Sequence, residues 1–249
     1  MVKPVTIIMG QSGRGKTTSL RNLNPEKVAL FNTEMKPLPF PNNKEKWESR
    51  NIYLGKWDES MKPLSPYILF DYLTQIRDRK DIEVVVIDSF TSWTDHVAEA
   101  CVAKYGKSFE VWSEYARQIT MLFDLLKSSG KYCFLIGHDE VVQIEDQATK
   151  RLKVGGKKWE GMCEKEALVV LYSTMSRDES GKLKYVFQTQ TDGITSAKSP
   201  MGMFEDFEID NDLQMIIERM KAFYTDEPKA EVAKEEEIKP AVKKALNKK

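Results

Sequence analysis

Cysteine is scarce in this chain, with three in 249 residues at Cys101, Cys133 and Cys163. The odd count argues against a disulfide framework, and no two stand at metal-ligand spacing. Buried free thiols in a reducing cytoplasm are the expectation. Net charge is missing as well, because 38 Lys and Arg offset 38 Asp and Glu. No global field draws the chain to nucleic acid, so any such binding has to come from a local patch. Long apolar runs are also absent. The opening MVKPVTIIMG is too short in apolar residues for a signal peptide, and nothing approaches the roughly 18 apolar residues that span a bilayer. No membrane association is expected.

What is present is a core. The chain is 41% hydrophobic and 10% aromatic, which suits one α/β domain with a small appendage. Val5 to Met9 is a β-branched apolar run that breaks at Gly10, as a buried strand does before a loop. Residues 16–23 read as a helix stopped by Asn24-Pro25. Further strands are expected at 28–32, 51–55, 84–87 and 132–136, with helices at 65–79 and 108–129. The second of these helices carries Trp112, Tyr115, Ile119, Leu122 and Leu126 on the face turned to the sheet. Strands alternating with helices imply a mostly parallel sheet with helices on both faces.

The pattern then changes. Residues 167–173 and 183–190 flank the turn RDESGK as an antiparallel hairpin. A last helix begins near Asn211, with Leu213, Ile216, Met220 and Phe223 on one face. The folded domain is expected to fill 1–225, and 226–249, dominated by Lys, Glu and Ala, reads as a charged, disordered tail.

Two motifs carry chemistry. Gly10-Gln11-Ser12-Gly13-Arg14-Gly15-Lys16-Thr17 fits G-x-x-x-x-G-K-[ST]. Its glycines let backbone N–H groups converge on phosphate oxygens, and the following helix, whose first turn includes the nucleotide-binding candidate Thr18, adds its positive end. Lys16 is expected to reach the β- and γ-phosphates and the Thr17 hydroxyl to ligate magnesium, which makes ATP with Mg2+ the expected ligand. No N-K-x-D segment is present to read guanine. Val84 to Asp88 is an apolar strand that delivers a carboxylate to the magnesium shell. Hydrolysis needs one further group to orient or deprotonate water. Many ATPases place a Glu after the metal Asp, but here that residue is Ser89. Glu34, just past the strand 28–32, takes the role, because neighbouring parallel strands end at the same edge.

A resemblance can now be stated. The order of phosphate loop, strand ending in Thr33-Glu34, strand ending in Asp88-Ser89, further strand and antiparallel hairpin resembles a RecA-like ATPase core. NTEMKPLPF (32–40) and TSAKSPMGMF (195–204) resemble the compact phage-encoded RecA-like ATPases associated with single-strand annealing and recombination. The likeness covers about residues 4–224. It implies that Glu34 is the catalytic carboxylate, and that His138 stands where a Gln senses the γ-phosphate and moves a DNA-facing loop, here 139–156. Lys198 falls where lysines reach a neighbouring subunit's ATP, which implies a homo-oligomer. The basic stretch Lys150, Arg151, Lys153, Lys157 and Lys158, beside Trp159, has the mix of cations and aromatic that single-strand binding uses. Single-stranded DNA and a single-strand-binding protein are the implied partners. His96 reads as structural.

A phosphate loop starting at residue 10 leaves no room for the N-terminal segment through which RecA recombinases polymerise. Annealing or ATP-dependent handling of single strands is therefore expected in place of filament-borne strand exchange. Two other classes stand beside this one. A P-loop small-molecule or nucleotide kinase would need an Arg-rich lid, and Arg177 is the only Arg between Arg151 and Arg219. A non-hydrolysing ATP-dependent loader would act through partners.

Overall fold

The computed structural model describes residues 3–41, 47, 50–58, 60–144, 147–155 and 161–225. The expected tail at 226–249, and Lys157, Lys158 and Trp159, lie outside these residues. The strands are β1 (Val5–Met9), β2 (Val28–Asn32), β3 (Asn51–Tyr53), β4 (Val84–Asp88), β5 (Tyr132–Gly137), β6 (Asp139–Ile144), β7 (Gln147–Leu152), β8 (Val169–Arg177), β9 (Leu183–Gln188) and β10 (Glu208–Asp210). The α-helices are α1 (Ile68–Arg77), α2 (Phe90–Tyr105), α3 (Glu110–Ser128), α4 (Met162–Glu166) and α5 (Leu213–Thr225).

One eight-stranded sheet runs in the order β10-β9-β8-β1-β5-β4-β2-β3. From β8 to β3 all neighbours are parallel, and β9 and β10 join antiparallel. The fold is α/β, a mostly parallel sheet with helices on both faces and an antiparallel hairpin. Alternate residues of each strand feed opposite faces. Ile7, Phe31, Ile87 and Leu135 pack on one side with α1, α2 and α3, while Ile8, Leu30, Val86 and Phe134 pack on the other with α5 and Leu20. Covering both faces is why these strands are apolar at most positions, Thr6 and the strand-end Asn32 and Asp88 excepted, and do not alternate. No described helix is long and apolar enough to cross a membrane.

Four readings of the sequence need correction. The stretch 16–23 forms a 3-10 helix, Thr17–Asn22, and not an α-helix. Ser19 Oγ donates to the Lys16 carbonyl, and a hydroxyl bonded back to the chain competes with the α-helical ladder; Pro25 then leaves no room for another turn. Trp112 is 45% exposed, and Val111 takes the inward place in the first turn of α3. Phe223 is exposed near the C-terminal end of α5, whose inward face is Leu213, Ile216, Ile217 and Met220. The loop expected at 139–156 contains two strands, because β6 and β7 pair as an antiparallel hairpin. Lys150 N donates to Ile194 O, and Leu152 N to the buried Glu164 carboxylate, so distant segments hold the hairpin down. Cys101, Cys133 and Cys163 are all buried and unpaired.

Candidate functional site

The parallel strands β1, β2, β4 and β5 end at one edge of the sheet, and their following loops meet there. β1 gives way at Gly10, where a Cβ would stand 2.5 Å from the Ser173 carbonyl oxygen of β8. Only glycine fits so close to a backbone. The loop is braced from outside the motif. Ser173 Oγ donates to the Arg14 carbonyl at 2.7 Å, Asn211 Nδ2 donates to Ser173 Oγ at 3.1 Å, and Arg21 Nη1 donates to the Asn211 carbonyl at 2.5 Å.

Lys16 is buried, and its Nζ donates to the carbonyls of Gly10 at 2.7 Å and Gln11 at 2.8 Å. Burial lowers its pKa, against the opposing pull of Asp88, Asp139 and Glu34. Thr17 Oγ1 donates to Asp88 Oδ2 at 2.6 Å. Ser89 caps α2, accepting from Ser92 N at 3.3 Å, which gives that position a helix-starting duty in place of a second carboxylate. Thr33 clamps the two strand ends together, since its N donates to the Asp88 carbonyl at 2.9 Å and its Oγ1 to the Ser89 carbonyl at 2.7 Å.

That clamp brings Glu34 beside the phosphate loop. Glu34 Oε1 accepts from Ser92 Oγ at 3.1 Å and faces His138 Nε2 at 3.5 Å, while Oε2 pairs with Lys36 Nζ at 2.5 Å. His138 foremost, then Lys36 and Ser92, hold the carboxyl down at about 2, against the opposing effect of burial. Met35 takes a left-handed φ of 55° between the two, and Asn32 Nδ2 donates to the Lys36 carbonyl at 2.7 Å, which turns Lys36 back onto Glu34.

A cleft of about 380 Å³ joins these parts, lined by Ser12, Gly13, Gly15, Lys16, Thr17, Thr18, Glu34, Lys36, Pro39, Asp88, Ser89, His138 and Tyr185. Its size suits a small-molecule ligand. Gly10, Gln11 and Arg14 shape the loop without lining the cleft. Lys198 lies outside its own chain's cleft, bonded through its backbone to Val170 in both directions. His96 is half-buried on α2 and also outside.

The basic stretch divides. Lys150 Nζ turns inward, donating to Tyr172 OH at 3.2 Å and lying 5.2 Å from its ring centroid, and Tyr172 OH in turn donates to Asp139 Oδ2. Arg151 is half-buried against Gly161. Of the three described cations, Lys153 alone is exposed. Lys36, Pro39, Ser89 and Tyr185 in the lining, and Ser173 and Asn211 behind the loop, were not anticipated. Lys36 stands two residues past Glu34 in the quoted NTEMKPLPF, so a signal existed for it. Tyr185 read only as one residue of a strand.

The residues suit magnesium. Asp88 and Thr17 present two oxygen ligands already in contact, and magnesium typically takes one or two carboxylates and fills the rest of its shell with water and substrate phosphate. Burial, with the Glu34 charge adding to it, pushes Asp88 up to about 6 from its ordinary 3.8, although Thr17's donation opposes this. The ligand-free fold thus keeps a proton that the unfolded chain releases, and its stability falls as pH rises from about 4 to about 6. Asp88→Asn removes that penalty and still accepts from Thr17. It is expected to stabilise the ligand-free protein at pH 7 by up to about 3 kcal/mol, with the gain vanishing below about pH 4. Urea unfolding at the two pH values checks this, and equal stability at pH 7 would refute the burial argument.

A P-loop ATPase domain is the class that this fold and this cleft define. The chain belongs to the AAA domain family, whose sequence profile matches residues 3–201. Among solved structures it is similar to a KaiC-like protein of the hyperthermophilic archaeon Pyrococcus horikoshii OT3, at 15% identity over 75% of this chain and 77% of that one, with a TM-score of 0.44. No curated protein matches the chain.

Proposed function

We propose that this protein binds ATP with magnesium, hydrolyses it to ADP and phosphate, and acts as a homo-oligomer on single-stranded DNA in annealing or recombination. The observation that carries the hydrolytic part is that Lys16, the Thr17–Asp88 pair and Glu34 share one cleft. Backbone N–H groups of residues 13–17 cradle the phosphates, and Lys16 Nζ exchanges its two carbonyl partners for β- and γ-phosphate oxygens. Thr17 and Asp88 would hold the metal, which would supply positive charge to offset that of the phosphates. Glu34 orients a water in line with the γ-phosphorus. The water oxygen bonds to phosphorus as the bond to ADP breaks, and the water's proton passes to a Glu34 carboxylate oxygen. A carboxyl held at about 2 is a weak base at pH 7. Lys36, with 72% of its side chain exposed, is the donor best placed to leave Glu34 for a phosphate oxygen.

The DNA part rests on the resemblance of 32–40 and 195–204 to phage-encoded RecA-like annealing proteins, with a single-strand-binding protein as a further partner. Lys198, outside its own cleft, is available to a neighbouring subunit's ATP. With Lys150 turned inward and Arg151 half-buried, phosphate contacts fall to Lys153, Lys157 and Lys158. Three contacts give a slope of log affinity against log salt of about −2, at ~0.7 per contact on single strands. Lys153→Ala is expected to flatten the slope by about 0.7 with ATP binding unchanged, and Lys150→Ala to leave it nearly as it was. Salt-dependent binding to an oligothymidylate measures both. A large effect at Lys150 and none at Lys153 would reverse the assignment.

The test of the whole reading is ATP turnover with magnesium, with and without single-stranded DNA. Turnover raised by DNA is expected. Tight ATP binding with no turnover in either condition would put a non-hydrolysing loader first, and phosphate transfer to a nucleoside would put a kinase first.

A further inference from the structure

The phosphate loop, Asp88 and Glu34 account for the triphosphate end of a nucleotide and leave its base without a partner. Tyr185 stands on β9 opposite Met175 of β8, in the hairpin that continues past Ser173 and the phosphate loop. Its side chain packs on Gly15, where a Cβ would come within 2.7 Å of the ring Cγ and 2.8 Å of Cδ1. Gly15 has a φ of 87°, so both its backbone and the tyrosine above it require glycine. One side of the phenol is thus set against the loop, yet the residue stays 42% exposed. An aromatic ring braced on one side and open on the other is what a flat heterocycle needs to stack upon.

The hairpin cannot easily swing away. β8 is bonded to the loop through Ser173 and Arg14, and Asn211 holds Ser173 from behind. The direction of the nucleotide follows from the order of the loop. Lys16 serves the β- and γ-phosphates next to Asp88 and Glu34, so the nucleoside has to leave from another part of the cleft. Of the two rings among the described residues that line it, His138 faces Glu34 at the γ-phosphate end, which leaves Tyr185 for the base.

We propose that Tyr185 is the base-stacking residue of the nucleotide site, taking the purine of ATP on its exposed side; this rests on the ATP site proposed above. The recognition is of a π-face and not of a hydrogen-bonding edge, so it adds affinity without choosing strongly among bases.

The experiment compares ATP with inorganic triphosphate, which has the phosphates and no base, by calorimetric titration in the presence of magnesium. Wild type is expected to bind both, ATP more tightly. Tyr185→Ala is expected to weaken ATP roughly 5- to 150-fold, the range that stacking on one aromatic supports, and to leave triphosphate affinity unchanged. Tyr185→Phe is expected to keep most of the ATP affinity. Triphosphate binding also reports that the alanine variant is folded. An equal loss for both ligands would reduce Tyr185 to a prop for the loop and overturn the proposal, as would unchanged ATP affinity in the alanine variant. Wild type binding triphosphate as tightly as ATP would overturn it too. If wild type bound neither ligand, the ATP site itself would fail and this inference with it.

Discussion

Lys16→Ala is expected to abolish ATP binding and leave the fold intact. The ammonium makes its two bonds to carbonyls of its own loop, Gly10 and Gln11, and to no other element. Losing it leaves those carbonyls short of one donor but also removes a charge that burial disfavours. The two effects oppose each other, so the melting temperature without ligand should move little. With ATP the difference becomes large. A ligand at ~100 times its dissociation constant stabilises the native state by ~2.7 kcal/mol, which for a domain of this size is roughly 5–10 °C. Thermal melts with and without Mg-ATP check the prediction. An equal shift in wild type and mutant would show that the nucleotide binds elsewhere.

The second large effect separates binding from chemistry. Glu34→Gln keeps the shape and still accepts from Ser92, but it cannot take a proton. Turnover is expected to fall by roughly 10²-fold or more, with the ATP-dependent melting shift preserved. The variant also gives up the charged pairings with His138 and Lys36, so the melting temperature without ligand is expected to fall, and the comparison rests on the ATP-dependent shift. Phosphate release measured beside the melts makes the distinction. Undiminished turnover would pass the catalytic role to another residue.

Both predictions concern residues legible in the sequence, for different reasons. The phosphate loop is eight contiguous residues whose chemistry is local. Glu34 was reachable because parallel strands finish at one edge, and the Thr33 clamp on Asp88 and Ser89 is the physical form of that rule. The sheet was legible because strands covered on both faces are apolar at most positions. What escaped depends on contacts between distant segments. The β6–β7 hairpin alternates polar residues with few apolar ones, and its anchors at Ile194 and Glu164 lie far along the chain. Lys150 looked like a free cation because nothing nearby in sequence announces Tyr172. Tyr185 could not be tied to Gly15 until the hairpin was seen folding over the loop. β10, three residues long, carries too little pattern to be read at all.

The bracing of the phosphate loop also fixes when the site comes into being. Synthesis runs from N- to C-terminus, so Gly10 to Thr17 are made before either strand that flanks β1. β1 stays without its flanking strands until β5 and then β8 have followed. The bond that steadies Arg14 waits for Ser173, 159 residues later, and the one that steadies Arg21 waits for Asn211, 190 residues later. A nascent chain on the ribosome thus carries the complete motif long before it owns a rigid loop. A parallel sheet with its first strand at the centre closes only when the last strands arrive, and contacts so distant in sequence form slowly. Nucleotide binding therefore awaits β8 and Asn211, and the nucleotide stabilises molecules that have already placed both behind the loop.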